Sequence, residues 1–188
     1  MEKSDLEFEK IKLEKGGAKG VTLKFAYFQE IRGSKYLKRP EITNDLPPHD
    51  DFIKSLKALI PIVAKLENLD YARKFQTMQG FEPTDNQLSI IENMVSGIMK
   101  SVDITGINIS TRKKEKGIII SYKKEDINEG VTGHATNFIA IDPDELLFDF
   151  QDDLKDIVDT IIDEAYAYEF QDKYFDVEQS TIDFGEED

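Results

Sequence analysis

Two stretches of this chain, about a hundred residues apart, spell the same order of hydrophobic periods, and that order restricts the fold to a sheet carrying packed helices. In the first stretch Leu6, Phe8, Ile11 and Leu13 precede Gly16-Gly17, after which Val21, Leu23, Phe25 and Tyr27 alternate with polar residues. Period-two alternation on both sides of a glycine turn predicts a β-hairpin. Gly33 signals a further turn and a third, more polar strand over Ser34 to Ile42, and Asn44 to Pro48 then breaks the sheet. Phe52, Leu56, Leu59, Ile60, Val63 and Leu66 fall at helical spacing. Pro61 inside that run should kink the helix, because it has no N–H and its ring clashes with the preceding turn.

In the second stretch Ile104, Ile107 and Ile109 lead to the basic turn Arg112-Lys113-Lys114-Glu115-Lys116-Gly117, and Ile118, Ile120 and Tyr122 return. Residues 134–141 supply a third strand. Asp142-Pro143 has the form of a helix start, an N-cap aspartate before a proline at the first helical position. Leu147, Phe150, Leu154, Ile157, Val158, Ile161, Ile162 and Ala165 continue the stripe to about residue 169. The two helices align in writing: Asp50-Asp51-Phe52 with Asp152-Asp153-Leu154, Leu56 with Val158, Leu59-Ile60 with Ile161-Ile162.

The pattern predicts an α+β fold of two βββα units with an antiparallel sheet and packed helices. The units occupy residues 1–67 and 102–170, with 68–101 a loop-and-helix insertion and 171–188 an acidic C-terminal tail. In the insertion, Thr84-Asp85-Asn86-Gln87 is a capping-box pattern, and Leu88, Ile91, Met94, Val95 and Ile98 give a helical apolar face. Internal duplication explains the repeated order; so does the general likeness of any two α+β halves read by pattern.

Composition narrows the chemistry. The absence of cysteine removes disulfides, thiolate metal sites and cysteine nucleophiles, and fits a reducing cytoplasm or an intracellular bacterial or viral setting. No signal-peptide core and no run of about 18 apolar residues occurs, so no membrane association is expected. Phosphate-cradling glycine loops, dinucleotide fingerprints, paired-histidine helices and serine elbows are also missing. His49 and His134 can each join nearby aspartates, but a helix entrance and a strand start account for them. Asp142, Asp144 and Glu145 suit a hard cation and equally a helix N-terminus. The expectation is a non-enzyme with no catalytic residue, metal or cofactor.

Charge is the strongest functional clue. Residues 1–142 carry 22 Lys and Arg against 21 Asp and Glu, whereas residues 143–188 carry 2 against 17. Arg112, Lys113, Lys114 and Lys116 share one hairpin connection, and Lys123 and Lys124 end its second strand. The first unit adds Arg32, Lys35, Lys38 and Arg39 with Tyr36 and Tyr27. Cations that track phosphates beside rings that stack on bases suit a single-stranded nucleic acid. Lysines in hairpins also solvate the turn and discourage edge pairing. At the acidic end, Asp152, Asp153, Asp156, Asp159, Asp163 and Glu164 fill the polar side of the last helix. Beyond it the tail mixes Tyr174, Phe175, Ile182 and Phe184 with acidic residues. It resembles the tails of bacterial and phage single-stranded DNA-binding proteins, and that resemblance implies partner binding through Phe184, Glu186, Glu187 and Asp188.

Pro48-His49-Asp50-Asp51-Phe52 with Leu56-Lys57-Ala58-Leu59-Ile60-Pro61-Ile62-Val63 resembles the central segment of an uncharacterised family of tailed-phage proteins. Ile104-Thr105-Gly106-Ile107, Gly117-Ile118-Ile119-Ile120 and Ile161, Asp163-Glu164-Ala165, Tyr168 follow in that family's order. The resemblance implies an early intracellular phage role in recombination or replication and nothing catalytic. It departs near residue 173, where Lys173 and the acidic tail replace a short basic segment. The function expected is a homo-oligomeric, non-enzymatic protein of phage nucleic-acid metabolism, with single-stranded DNA as ligand and a basic host or phage protein as partner. Two alternatives stand beside it: an anti-defence protein that occupies a host nucleic-acid-binding factor or sequesters a signalling nucleotide, and a virion or assembly protein.

Overall fold

The computed structural model describes residues 2–17, 19–67, 85–126, 130–141 and 151–174. Their strands are β1 (Glu7–Leu13), β2 (Val21–Ile31), β3 (Ser34–Lys38), β4 (Glu41–Asn44), β5 (Val102–Arg112), β6 (Glu115–Asp126), β7 (Gly130–Ala135) and β8 (Ile139–Ala140). The helices are α1 (Asp50–Lys57), α2 (60–67), α3 (Asp85–Ser101) and α4 (Gln151–Phe170). The fold is α+β. One antiparallel sheet runs β3–β2–β1–β5–β6–β7, with β4 also beside β2 and β8 also beside β6.

The two long hairpins meet back to back through a short junction. Ile11 of β1 pairs with Ile107 of β5, flanked by Lys10 with Asn108 and Lys12 with Gly106. Each hairpin has one register shift, between Phe8 and Lys10 in β1 and between Ile104 and Gly106 in β5. Counted from the bulged residues Glu9 and Thr105, the registers of the two hairpins correspond, and Ile11 holds in β1 the position that Ile107 holds in β5. The junction requires glycine on the β5 side, because a Cβ at Gly106 would stand 2.3 Å from the Ile11 carbonyl oxygen.

Alternation sends Phe8, Ile11, Leu13, Val21, Leu23, Phe25, Ile104, Ile107, Ile109, Ile118, Ile120 and Tyr122 to one face, all buried. Burying such side chains stabilises by about 1.5–3 kcal/mol each relative to exposure. The helices cover this face with Phe52, Leu56, Leu59, Val63, Leu154, Val158, Ile161, Ala165 and Tyr168. Three pairs aligned by sequence, Phe52 with Leu154, Leu56 with Val158 and Leu59 with Ile161, are buried at 1% exposure or less. Each helical segment crosses to the other half's hairpin. Glu67, the last described residue of α2, accepts a hydrogen bond from Tyr122 of β6 at 2.7 Å, and Phe170 at the end of α4 meets Phe25 of β2 edge-on at 5.6 Å. Tyr122 and Phe25 are equivalent positions in the two hairpins.

Three details differ from the sequence pattern. Pro61 does more than kink the helix: residues 58–59 form a turn, and Pro61 enters the first turn of α2, where its missing N–H has no intrahelical partner to lose. The third strand of the first half is divided at Arg39-Pro40, although its register against β2 continues and the Phe25 N–H donates to the Pro40 oxygen at 3.3 Å. The third strand of the second half begins at Gly130, because Val131 and Thr132 extend pairing into a segment whose glycines read as loop. The predicted helix start at Asp142-Pro143 lies outside the described residues. Among those residues, no helix is long and apolar enough to cross a membrane.

The junction makes a direct prediction. Gly106→Ala should lower unfolding stability by about 1–3 kcal/mol, the usual cost of forcing atoms into a packed site. Gly133→Ala, whose Cβ would meet nothing within 4 Å, should stay within roughly 0.5 kcal/mol of the parent. Urea denaturation midpoints of the two variants check both values.

Candidate nucleic-acid interface

Both basic turns project from the same end of the sheet. β2 and β5 are each antiparallel to β1 and so run in one direction. From the row of Leu23, Ile11, Ile107 and Ile120, β2 continues to Ile31 and β5 to Arg112, whereas β1 reaches back only to Glu7. The sheet therefore ends in a fork, with the β2–β3 hairpin as one prong and the β5–β6 hairpin as the other.

Both prongs close in two-residue turns with left-handed backbone: Arg32 at φ 51 with Gly33 at φ 79, and Lys113 at φ 49 with Lys114 at φ 74. This geometry matches the right-handed twist of paired strands and favours Asn-Gly. A side-chain-bearing residue in the left-handed region costs roughly 1–2 kcal/mol. Lys113 and Lys114 both carry that cost, so the turn presents two ammonium groups at the expense of backbone stability.

Most cations of the sheet outside the fork have carboxylate partners, Lys123 on β6 being an exception among the described residues. Lys10 bonds Glu41 at 2.6 Å, Lys12 bonds Glu14 at 2.9 Å, and Glu9 holds Lys24 at 3.0 Å and Arg39 at 3.2 Å. Hydrogen bonds from Lys12 and Thr22 hold the Glu14 carboxyl below the usual carboxylate range, and one from Lys10 does the same for Glu41. Among the described residues, Arg32, Lys35, Lys38, Arg112, Lys113, Lys114 and Lys116 have no carboxylate within ion-pairing distance. Arg112 lays its guanidinium over Phe138, 4.9 Å from the ring centroid.

Apolar groups accompany these charges on the β2–β3 prong. Phe28 and Leu37 are cross-strand partners on the open face of the sheet, 68% and 48% exposed. Tyr36 and Ile31 lie on the opposite face of the prong, 50% and 42% exposed. An open groove of 770 Å³ runs between this prong and the segment entering β1, lined in part by Leu6, Ala26, Phe28, Lys35 and Leu37. Tyr27 packs toward Phe25 at 6.2 Å and belongs to the margin of the core. Phe28, Ile31 and Leu37 escaped the sequence reading. The signal for Phe28 was its place in the polar register of a strand that buries Val21, Leu23 and Phe25.

The fork gathers Arg32, Lys35, Tyr36, Lys38, Arg112, Lys113, Lys114 and Lys116. Arg39 is on the same edge strand but engaged by Glu9. Lys123 and Lys124 sit toward the far end of β6, where Lys124 is bound by Glu67. Burial alone would raise the Glu67 pKa, but hydrogen bonds from Lys124 and Tyr122 outweigh it and hold the group ionised; burial and the Glu67 bond push the Tyr122 hydroxyl up. His134 stacks on Tyr122 at 5.5 Å and shares a 2.7 Å hydrogen bond with Thr132. His49 caps α1, its Nδ1 accepting from the Asp51 N–H at 3.2 Å. No group of three or more metal-ligating side chains occurs among the described residues. Asp142, Asp144, Glu145, Phe184, Glu186, Glu187 and Asp188 lie outside them.

Relieving the strained turn should separate stability from charge. The double variant Lys113→Asn, Lys114→Gly is expected to be more stable than the parent by on the order of 1–2 kcal/mol, because Asn-Gly accepts the left-handed turn with little strain. Chemical denaturation of the two proteins side by side measures the difference.

Comparison with protein-family models, curated proteins and solved structures finds no match to this chain.

Proposed function

We propose that the protein is a non-enzymatic binder of single-stranded nucleic acid whose interface is the forked end of the sheet, acting in phage nucleic-acid metabolism as the resemblance implies. The observation that carries this reading is the grouping, on two hairpins at one end of the sheet, of seven cations that have no carboxylate partner among the described residues, while Lys10, Lys12, Lys24, Arg39 and Lys124 on the same sheet are each paired. Unpaired cations pay no exchange of partners when a phosphate arrives, and each phosphate contact releases counterions. Phe28 and Tyr36 offer faces on which bases stack without regard to sequence. The strain held at Lys113 and Lys114 adds support, since left-handed side-chain-bearing residues concentrate at functional sites.

A second reading draws on α4, where Asp153, Asp156, Asp159 and Asp163 are exposed. That acidic face suits a basic partner protein, such as a host nucleic-acid-binding factor occupied by an anti-defence protein. Recovery of a basic protein that survives nuclease treatment would favour it.

Oligonucleotide titration over a salt series tests the first reading. Replacing Lys113, Lys114 and Lys116 by glutamate should weaken binding and make the slope of log K against log salt shallower by about 2, at roughly 0.7 per phosphate contact on a single strand. Phe28→Ala and Tyr36→Ala should each cost roughly 1–3 kcal/mol of affinity and leave the slope in place, because stacking releases no counterions. Unchanged affinity in all three variants would remove the fork from the function.

A further inference from the structure

An aromatic ring from outside the β5–β6 hairpin packs on its prong. Phe138 precedes β8, and its segment is pinned to β6 on both sides. The Thr136 N–H donates to the Ile120 oxygen at 2.9 Å, and the Ile120 N–H donates to the Thr136 hydroxyl at 3.0 Å. Beyond Phe138, the Ile141 N–H donates to the Lys116 oxygen at 2.9 Å. Between these anchors Ile139 pairs with Ile118, and both are buried in the core. Alternation along the strands sets Gly117 and Arg112 on the face opposite Ile118 and Ile109. Phe138 packs against Gly117 there: a Cβ on Gly117 would stand 2.7 Å from ring Cε2 and closer still to Cζ, so glycine lets the ring settle on the strand. Exposure rises from buried Gly117 through half-buried Phe138 to exposed Arg112.

Arg112 has a carboxylate across the strand and does not take it. It pairs with Glu115 in the last register position before the Lys113-Lys114 turn, where opposite charges attract one another, yet the two side chains form no ion pair. The guanidinium carbon stands instead 4.9 Å from the Phe138 ring centroid. A guanidinium stacked on a ring engages its flat face and keeps the N–H fork of its edge, the group that meets a phosphate through two parallel hydrogen bonds. An ion pair with Glu115 would have used that fork and cancelled the charge. A ring anchored on both flanks also restricts the arginine before any ligand arrives, so less side-chain freedom is lost on binding.

We infer that Gly117, Phe138 and Arg112 form a phosphodiester-binding subsite beside the β5–β6 turn, in which Arg112 contacts the phosphate and Phe138 positions it. The subsite rests on the nucleic-acid reading proposed above and divides the labour within it. Lys113, Lys114 and Lys116 attract phosphates as point charges on flexible stems, whereas Arg112 fixes one phosphate in a set geometry. Phe138 contributes through Arg112 and not by touching the ligand.

Titration of a labelled oligothymidylate over a salt series tests this on the full chain and on the variants Arg112→Gln, Phe138→Leu and the two combined. Arg112→Gln should weaken binding and make the slope of log K against log salt shallower by about 0.7, one phosphate contact on a single strand. Phe138→Leu should weaken binding about two- to fivefold, the worth of an exposed cation–π contact, and leave the slope in place because the charge remains. Added to Arg112→Gln, the same exchange should alter affinity by less than about 1.5-fold, since residues that act as one unit are not additive. An equal loss from Phe138→Leu with and without Arg112 would overturn the inference, because the ring would then act on its own. The Arg112 Nε–H resonance of the parent supplies a readout that needs no variant, and it should shift when oligonucleotide is added. A resonance that stays in place while the oligonucleotide binds would reject the subsite and leave the nucleic-acid function standing. Failure of the parent to bind any oligonucleotide would reject both.

Discussion

Three residue pairs between β1 and β5 hold the two halves of this protein in one sheet. Without the pairing of Lys10, Ile11 and Lys12 with Asn108, Ile107 and Gly106, each half would be a hairpin with a helix and an unpaired edge. So short a ladder suffices because the helices cross it. Glu67 of the first half anchors on Tyr122 of the second, and Phe170 of the second on Phe25 of the first. Pulling the halves apart would expose the apolar face shared by both hairpins and break both helix anchors together. The constraint at Gly106 follows, since the backbones approach too closely there for any side chain.

The same junction determines where charge can gather. Because β2 and β5 both oppose β1, their far ends emerge on one side of the sheet, with β1 between them. Arg32 and Lys113 are eighty-one positions apart in sequence, and no local pattern joins them. On the sheet surface lysines are absorbed by glutamates across strands, as Glu9 does with Lys24 and Arg39. On the prongs Glu30 lies across from Lys35 and Glu115 across from Arg112, yet neither carboxylate forms an ion pair with its neighbour among the described residues. The gathering of the fork's cations at one end is a consequence of topology as much as of composition.

Sequence periodicity made most of the framework legible. The two hairpins, the helical stripes and the alignment of Phe52, Leu56 and Leu59 with Leu154, Val158 and Ile161 rest on burial, which imposes period two on strands and period 3.6 on helices. Less visible were features that depend on partners remote in sequence. The ion pairs that engage Arg39 and Lys124 need Glu9 and Glu67 brought in by folding, so a list of basic residues could not separate engaged cations from open ones. Pro61 announced an interruption, but whether it bends a helix or starts a new one depends on how residues 58–59 pack. Phe28 was overlooked because an apolar residue after an alternating run reads as the end of a strand rather than as an exposed ring.

The matching halves are most informative where they stop matching. Exchange of the hairpins carries Phe25 onto Tyr122 and Tyr27 onto Lys124, yet one position is sealed by Phe170 and the other holds the polar group of Glu67, Tyr122 and Lys124 beside His134. The exchange likewise carries the Lys113-Lys114 turn onto the β1–β2 connection, where Glu14 draws in Lys12 and Thr22. Packing demands equivalence only of the buried positions, and those are the positions that agree. The turns are free of that demand: Lys113 and Lys114 stand open at one end, while at the other Glu14 engages Lys12 beside the exposed and likewise left-handed Lys15.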